Sequence, residues 1–274
     1  KTEPVQHPSQ FKHPLIRECL LYLNITDGLE ITHVGDLPGR SGLGTSSSFT
    51  VGLLHTLHAL RGDRITAEDL AREAIIIERE RAGDSGGRQD QYAAAYGGFI
   101  RLDFGAEHFV NVQKLPLSST RLADLEQRLM LFYTNQTKSA EGVLTKQKGG
   151  IADNIGPLKE MHAMVDQAEH ILLHGSDLDQ LGHLLHRSWM LKKSLAKGIS
   201  NSSIDHAYSR AQAAGAFGGK LLGAGGRGFL LLYVPPEKHT AVREALSELR
   251  EVPYSFRQQG SQIIFKSSSQ AETT

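Results

Sequence analysis

Ten residues, Pro38-Gly39-Arg40-Ser41-Gly42-Leu43-Gly44-Thr45-Ser46-Ser47, hold the densest run of chemically useful types in the chain. Gly39 and Gly44 have the separation of a P-loop, but Thr45 stands where that motif needs lysine. The physics survives the mismatch. Gly42 and Gly44 permit a tight turn that points successive amide protons at one spot. A helix starting near Thr45 adds partial positive charge at its N-terminus. Hydroxyls on Thr45, Ser46 and Ser47 can donate to phosphate or ligate magnesium. A serine-capped helix would need one hydroxyl; three in a row favour phosphate binding.

Three other strings spell known motifs without their context. Gly83-Asp84-Ser85-Gly86-Gly87 matches the surroundings of a chymotrypsin-like nucleophile. That chemistry needs His and Asp earlier in a β-barrel chain, whereas this string ends a helical stretch and reads as a turn. Asp103-Phe104-Gly105 matches the magnesium triplet of protein kinases, but no His-Arg-Asp loop precedes it. Gly223-Ala224-Gly225-Gly226-Arg227-Gly228 satisfies G-x-G-x-x-G, yet it leaves a helical region and enters an apolar strand at 229–234, the reverse of a dinucleotide fingerprint. So many adjacent glycines still imply close approach of ligand or chain, and Gly225 and Gly226 are expected to line a site.

Periodicity supplies the elements that must carry these turns. Helices are expected at 14–23, 46–60, 66–81, 89–96, 155–173, 178–196, 203–214 and 237–249. Strands are expected at 29–34, 98–104, 109–115, 129–135, 229–234, 254–257 and 262–266. Strands and helices mix without βαβ alternation, which predicts an α+β fold. The polar, turn-like Leu117 to Ala123 sets a boundary near 118–128, between expected domains 1–127 and 128–274.

Composition narrows the classes further. Thirty Lys and Arg balance thirty Asp and Glu, which argues against a broad basic face for nucleic acid or anionic membrane. No apolar run approaches the ~20 residues that span a bilayer, and Cys19 is the single cysteine. A cytoplasmic protein without disulfides is expected. Among thirteen histidines, the pairs His55/His58, His170/His174 and His183/His186 share helix faces, but none carries the H-E-x-x-H pattern of catalytic zinc; solvated or capping roles are expected.

The segment from Pro38 to Ser48 resembles the phosphate-binding motif of the GHMP kinases. Two more matches follow in order: Glu78 lies twelve positions before Asp90 of Gln89-Asp90-Gln91, and Lys220-Leu221-Leu222-Gly223-Ala224-Gly225-Gly226-Arg227-Gly228 matches the late glycine-rich loop. The resemblance implies an S5-domain-2-like N-terminal part, a ferredoxin-like C-terminal part, and ATP and Mg2+ as cofactors. It implies that Pro38, Gly39, Arg40, Ser41, Gly42, Leu43, Gly44, Thr45, Ser46 and Ser47 hold phosphates, that Ser46 and Glu78 ligate magnesium, and that Asp90 accepts the hydroxyl proton. From the residues alone, Asp90 reads equally well as a helix cap.

Within the family, His13-Pro14-Leu15-Ile16-Arg17-Glu18-Cys19, Gly35 to Gly44, Gln89 to Gly98 and Tyr133-Thr134 resemble the branch that phosphorylates the C1 hydroxyl of D-glycero-D-manno-heptose 7-phosphate, feeding nucleotide-activated heptose to surface polysaccharide. The implied partner is a small sugar phosphate. Arg88, Thr134, Lys138, Gly225 and Gly226 are the substrate-side candidates. Another sugar or small alcohol, or a non-catalytic regulator of the same fold, stays open. Two departures stand out. Nothing before His13 matches the family's initial Arg-Ile…Gly-Gly-x-x-Asp strand, so N-terminal strands are expected outside this chain. Asn135 to Lys138 replaces a glycine and an arginine of the sugar branch.

Overall fold

Apolar residues three and four apart make α1 (Pro14–Tyr22) and α2 (Thr45–Arg61), and glycines punctuate the second. Gly44 (φ +65°) precedes α2, and Gly62 (φ +83°) ends it, donating its amide to the Ala59 carbonyl. Both are left-handed conformations that glycine adopts without a Cβ penalty. In α3 (Ala67–Ile75) the Thr66 hydroxyl accepts from the Asp69 amide at 3.1 Å, the expected cap. The helical path then widens into a π segment, Ile76–Arg81, where the Ala82 amide reaches back five residues to Ile77. Gly83 breaks it, and α4 (Gln89–Tyr96) follows.

The computed structural model describes residues 2–26, 28–37, 42–134 and 149–267. They fall into two compact units. One draws on Lys1–Asp36, Gly44–Leu102 and Arg257–Thr274, the other on Leu37–Leu43 and Asp103–Phe256. In the first unit Cys19, Leu54, Ala71, Ala74, Ile77 and Tyr92 are buried among the helices. The returning chain is tied on by backbone bonds from Gly98 N to Arg257 O and from Ser261 N to Ala94 O.

The second unit is built on an antiparallel sheet of β3 (Leu129–Tyr133), β4 (Gly218–Leu221), β5 (Phe229–Tyr233) and β6 (Arg250–Glu251), in the order β4-β5-β3-β6. Helices α6 (Ile155–His174), α7 (Asp179–Ser194) and α8 (Ser202–Ala213) lie in the crossover from β3 to β4, and α9 (His239–Ala245) in that from β5 to β6. This is the split βαβ order of ferredoxin-like folds. Met130, Phe132, Trp189, Ile204, Leu230, Leu232 and Val242 form its core. β1 (Ile100–Phe104) and β2 (Val110–Lys114) make a separate two-stranded sheet.

The α+β expectation holds, with four local corrections. The expected strands at 29–34, 254–257 and 262–266 belong to neither sheet among the described residues. Alternation alone supplies no ladder partner, and Val34, Ile264 and Phe265 are 86%, 95% and 82% exposed. The turn-like stretch after Leu117 is instead α5 (Ser119–Gln127), started by Ser118, which accepts from the Arg121 amide, and anchored by buried Leu125. The glycine-rich loop at 223–228 leaves strand β4, not a helical region, so it joins two paired strands. The expected helix at 237–249 contracts to a 3-10 turn and α9. Among the described residues, no helix is long and apolar enough to cross a membrane.

Candidate active site

Helical geometry sorts the hydroxyls at the start of α2. Ser47 and Thr50 share the buried face with Val51, Leu54 and Leu57, while Ser46 is exposed and Thr45 half-buried. Facing Ser47 and Thr50 is Glu78, 3% exposed, carried on the π segment. The Ser47 hydroxyl donates to Glu78 Oε2 at 2.9 Å, and Gln91 Nε2 donates to the same oxygen at 2.5 Å. Glu78 Oε1 is buried with no hydrogen-bond partner. Burial pushes the Glu78 carboxyl above its ordinary range; hydrogen bonds from Thr50, Ser47 and Gln91 oppose that rise, and the Asp84 charge adds to it.

Asp90 lies in the first turn of α4, packed against the turn that opens α2. A Cβ placed on Gly44 would sit 3.1 Å from Asp90 Cβ and 3.4 Å from its Oδ2. Gly44 is therefore required twice, for its positive φ and for room beside the carboxylate. Burial raises the Asp90 pKa, a hydrogen bond from Gln89 lowers it, and Asp84 raises it. Asp84 folds the Gly83–Gly87 turn: its amide donates to the Glu78 carbonyl at 2.8 Å, and its carboxylate accepts from the Gly86 amide at 2.7 Å. None of these three carboxylates has a lysine or arginine partner among the described residues.

In the second unit, a second glycine turn meets the late loop. A Cβ on Gly42 (φ +83°) would lie 3.0 Å from the Leu222 carbonyl oxygen, and one on Gly223 would lie 2.7 Å from Gly42 Cα. Leu43 is half-buried beside it. The loop is braced from three sides. Gly226 N donates to Ile199 O at 2.9 Å and Asn201 Nδ2 to Gly226 O at 3.1 Å; Thr134 reaches Gly228 O through both its amide and its hydroxyl, at 3.0 and 2.8 Å. A Cβ on Gly225 would strike the Ile199 backbone at 2.7 Å. Close chain packing thus explains Gly225, and the Thr134 hydroxyl is occupied by the loop.

The structure brings Gly44, Ser47, Glu78 and Asp90 together in the first unit. Arg88 is the N-cap residue of α4. Pro38, Gly39, Arg40, Ser41 and Lys138 lie outside the described residues. Sequence reasoning missed Gln91 and Thr50, although Thr50 stands one helical turn after Ser47. One expectation for a surface side chain changes as well. His58, expected to be solvated or capping, is buried between Glu73, which meets its Nε2 at 2.7 Å, and Asp63.

The N-terminal domain of GHMP kinases matches residues 14–98, and the C-terminal domain of GHMP kinases matches residues 166–254. Between them they take in well over half of the chain, in the expected order. The chain belongs to the GHMP kinase family. A D-glycero-alpha-D-manno-heptose 7-phosphate kinase of Campylobacter jejuni is 35% identical over 213 residues, which is 77% of this chain and 62% of that protein. A mevalonate kinase of Thermococcus onnurineus is 28% identical over 231 residues, 81% of this chain and 64% of that protein. Among solved structures, a D-glycero-D-manno-heptose 1-phosphate kinase from Bacteroides thetaiotaomicron superposes with a TM-score of 0.69 at 27% identity, covering 90% of this chain and 71% of that one. This GHMP kinase chain spans less than two thirds of the length of these two curated relatives.

Proposed function

We propose that the protein is an ATP-dependent kinase that transfers the γ-phosphoryl group to the C1 hydroxyl of D-glycero-D-manno-heptose 7-phosphate. The observation that carries this reading is the Asp90 carboxylate packed against Gly44, at the N-terminus of α2. A carboxylate at that place would accept a proton beside an amide-rich turn suited to phosphate. Phosphoryl transfer asks the protein for positioning, charge neutralisation and a group that accepts the hydroxyl proton. Gly44 and the first turn of α2 would hold the phosphates through backbone amides, and Asp90 would take the proton. Its burial favours that exchange, because a carboxylate with a raised pKa is a stronger base. The choice of sugar follows the heptose phosphate kinases named above.

The residues fit a hard divalent cation. Glu78 keeps one buried oxygen without a partner and bonds the Ser47 hydroxyl through the other, and magnesium uses one or two protein carboxylates together with substrate phosphates. Glu78 and the hydroxyls of Ser46 and Ser47 would hold it. Bound there, Mg2+ would draw charge from the phosphate oxygens.

The test is ATP-dependent phosphorylation by the full-length protein with a panel of heptose 7-phosphate, unphosphorylated heptose, mannose, mevalonate and homoserine. Highest kcat/KM on heptose 7-phosphate is expected. Preference for an unphosphorylated sugar overturns the heptose 7-phosphate assignment, and turnover of none of the panel overturns the sugar-kinase reading.

A further inference from the structure

Charged residues on α7 and its surroundings are mostly paired. Lys193 Nζ lies 2.8 Å from Asp205 Oδ1, and Arg187 lies 3.1 Å from Glu160. Lys192, adjacent to Lys193, is different. Its ammonium donates to the Gly223 carbonyl at 2.7 Å, where the glycine-rich loop begins, and no carboxylate meets it among the described residues.

Lys220 is the second exception. β4 lays one face on α7, since a Cβ on Gly218 would strike the Gly182 carbonyl and the His186 amide. Alternation puts Lys220 on that same face, two residues further toward the loop. It too has no carboxylate partner among the described residues. Arg227, within the loop, is a third cation for which no acid stands among the described residues.

Two half-buried ammonium groups of like sign, one of them fixed to the loop backbone, are expensive to keep. Each loses hydration, and they repel each other. The cost is visible in their basicity: burial and the Lys220 charge hold Lys192 down at about 8, and burial holds Lys220 below the ordinary lysine range. A fold that needed only packing at these positions would do better with leucine or methionine. An anion would supply the counter-charge to both.

We infer that Lys192 and Lys220, at the start of the Gly223–Gly228 loop, form a binding site for a phosphate group of a ligand. A dianionic phosphate would satisfy both ammonium groups through charge-assisted hydrogen bonds. The site stands on the geometry of the second unit alone. Which phosphate arrives, the nucleotide's or the sugar's, rests on the kinase reading.

The experiment titrates full-length wild type, Lys220→Met, Lys192→Met and Lys192→Arg with ATP, heptose 7-phosphate and inorganic pyrophosphate by calorimetry, and records each melting temperature. Lys220→Met removes a charge without removing a hydrogen bond, so it is expected to melt at or above wild type. It is expected to lose roughly tenfold or more in affinity for at least one titrant, and Lys192→Arg to keep most of it. Loss confined to ATP and pyrophosphate assigns the site to the nucleotide; loss confined to heptose 7-phosphate assigns it to the sugar. Affinities within about twofold of wild type for all titrants in both methionine variants overturn the site, as does a lower melting temperature with unchanged affinities. If Lys220→Met does not fold, Lys220→Gln takes its place in the same comparison. The kinase reading fails separately: wild type that binds pyrophosphate through these lysines yet phosphorylates no sugar keeps the site and loses the function.

Discussion

The two units keep unpaired charge of opposite sign at their glycine-rich turns. In the first, Glu78, Asp84 and Asp90 gather near the start of α2 and, among the described residues, have no basic partner; in the second, Lys192, Lys220 and Arg227 gather at the late loop and, among the described residues, have no acidic one. Elsewhere both units also hold paired charges, as Glu18 with Arg17 and Arg81, Arg210 with Glu248, and Arg243 with Glu251. Exposed pairs of that kind contribute little to stability. An unpaired charge costs more the deeper it is buried, as Glu78 is at 3% exposed, and a ligand's counter-charge would offset that cost. The acidic set fits a cation and a proton in transit. The basic set fits phosphate.

The acidic set breaks most sharply at Asp90. Asp90→Asn keeps shape and bulk but removes the proton acceptor, so kcat should fall by about 10²–10⁴, with ATP affinity within a few-fold of wild type. Steady-state kinetics together with nucleotide titration checks this, and wild-type turnover in the variant would remove Asp90 from the chemistry. The pH profile sharpens it. Because burial raises the Asp90 pKa, the base form is lost as pH falls through a value above the ordinary aspartate range. The acidic limb of kcat/KM should lie there and vanish from the residual activity of Asp90→Asn.

Gly44→Val is expected to come next. The new side chain would press on Asp90 Cβ and Cγ, and valine at φ +65° is strained by about 1–3 kcal/mol. Turnover should fall by roughly tenfold to a hundredfold, along with the denaturation midpoint. A variant that loses stability but keeps kcat would show that Asp90 needs no exact placement against the turn.

Glu78→Gln tests whether the buried carboxylate is kept for a cation. Glutamine can still accept from Ser47 and Gln91 through its one oxygen. With its folded pKa raised, ionised Glu78 costs stability above that pKa, and the cost disappears as pH falls through it toward the unfolded value. In chelator at pH 7–8 the variant should therefore melt above wild type, the gap closing on acidification. In the kinetic assay it should need several-fold more magnesium for half-maximal rate. A lower melting temperature and an unchanged magnesium requirement would make Glu78 a structural residue.

Much of this arrangement was legible in the residues. Helix α2 announces itself through Gly44, its hydroxyls and Gly62, and β5 through an unbroken apolar run. β4 does not: Gly218-Gly219-Lys220-Leu221 has a composition that disfavours strands, and only pairing with β5 and close packing on α7 make it one. The reverse occurs at 29–34 and 262–266, where alternation is present but no partner strand stands among the described residues. In the site, spacing to Asp90 singled out Glu78 from Glu73 and Glu80, but spacing could not place Gln91 Nε2 on the same oxygen as Ser47. That depends on the π segment and the Gly83–Gly87 turn setting two helices side by side. The lysines were hidden for a similar reason, since absence of a partner is visible only in three dimensions.

The smallest expected effect decides what Thr134 does on the basic side. Its hydroxyl, 5% exposed, donates to Gly228 O at 2.8 Å, and its own amide donates to the same carbonyl at 3.0 Å. Thr134→Val keeps the branched shape and the amide bond, so the carbonyl stays satisfied and only one neutral hydrogen bond is lost. The cost should be about 0.5–1.5 kcal/mol, read as a modest shift in denaturation midpoint. If Thr134 braces the loop, KM for ATP and for the sugar should each stay within about threefold of wild type. If the hydroxyl instead turns to the sugar during turnover, the sugar KM should rise by roughly tenfold while the ATP KM stays put. The second outcome would mean that the loop tie is exchanged for substrate, and that the basic side recognises the sugar through hydroxyls as well as through charge.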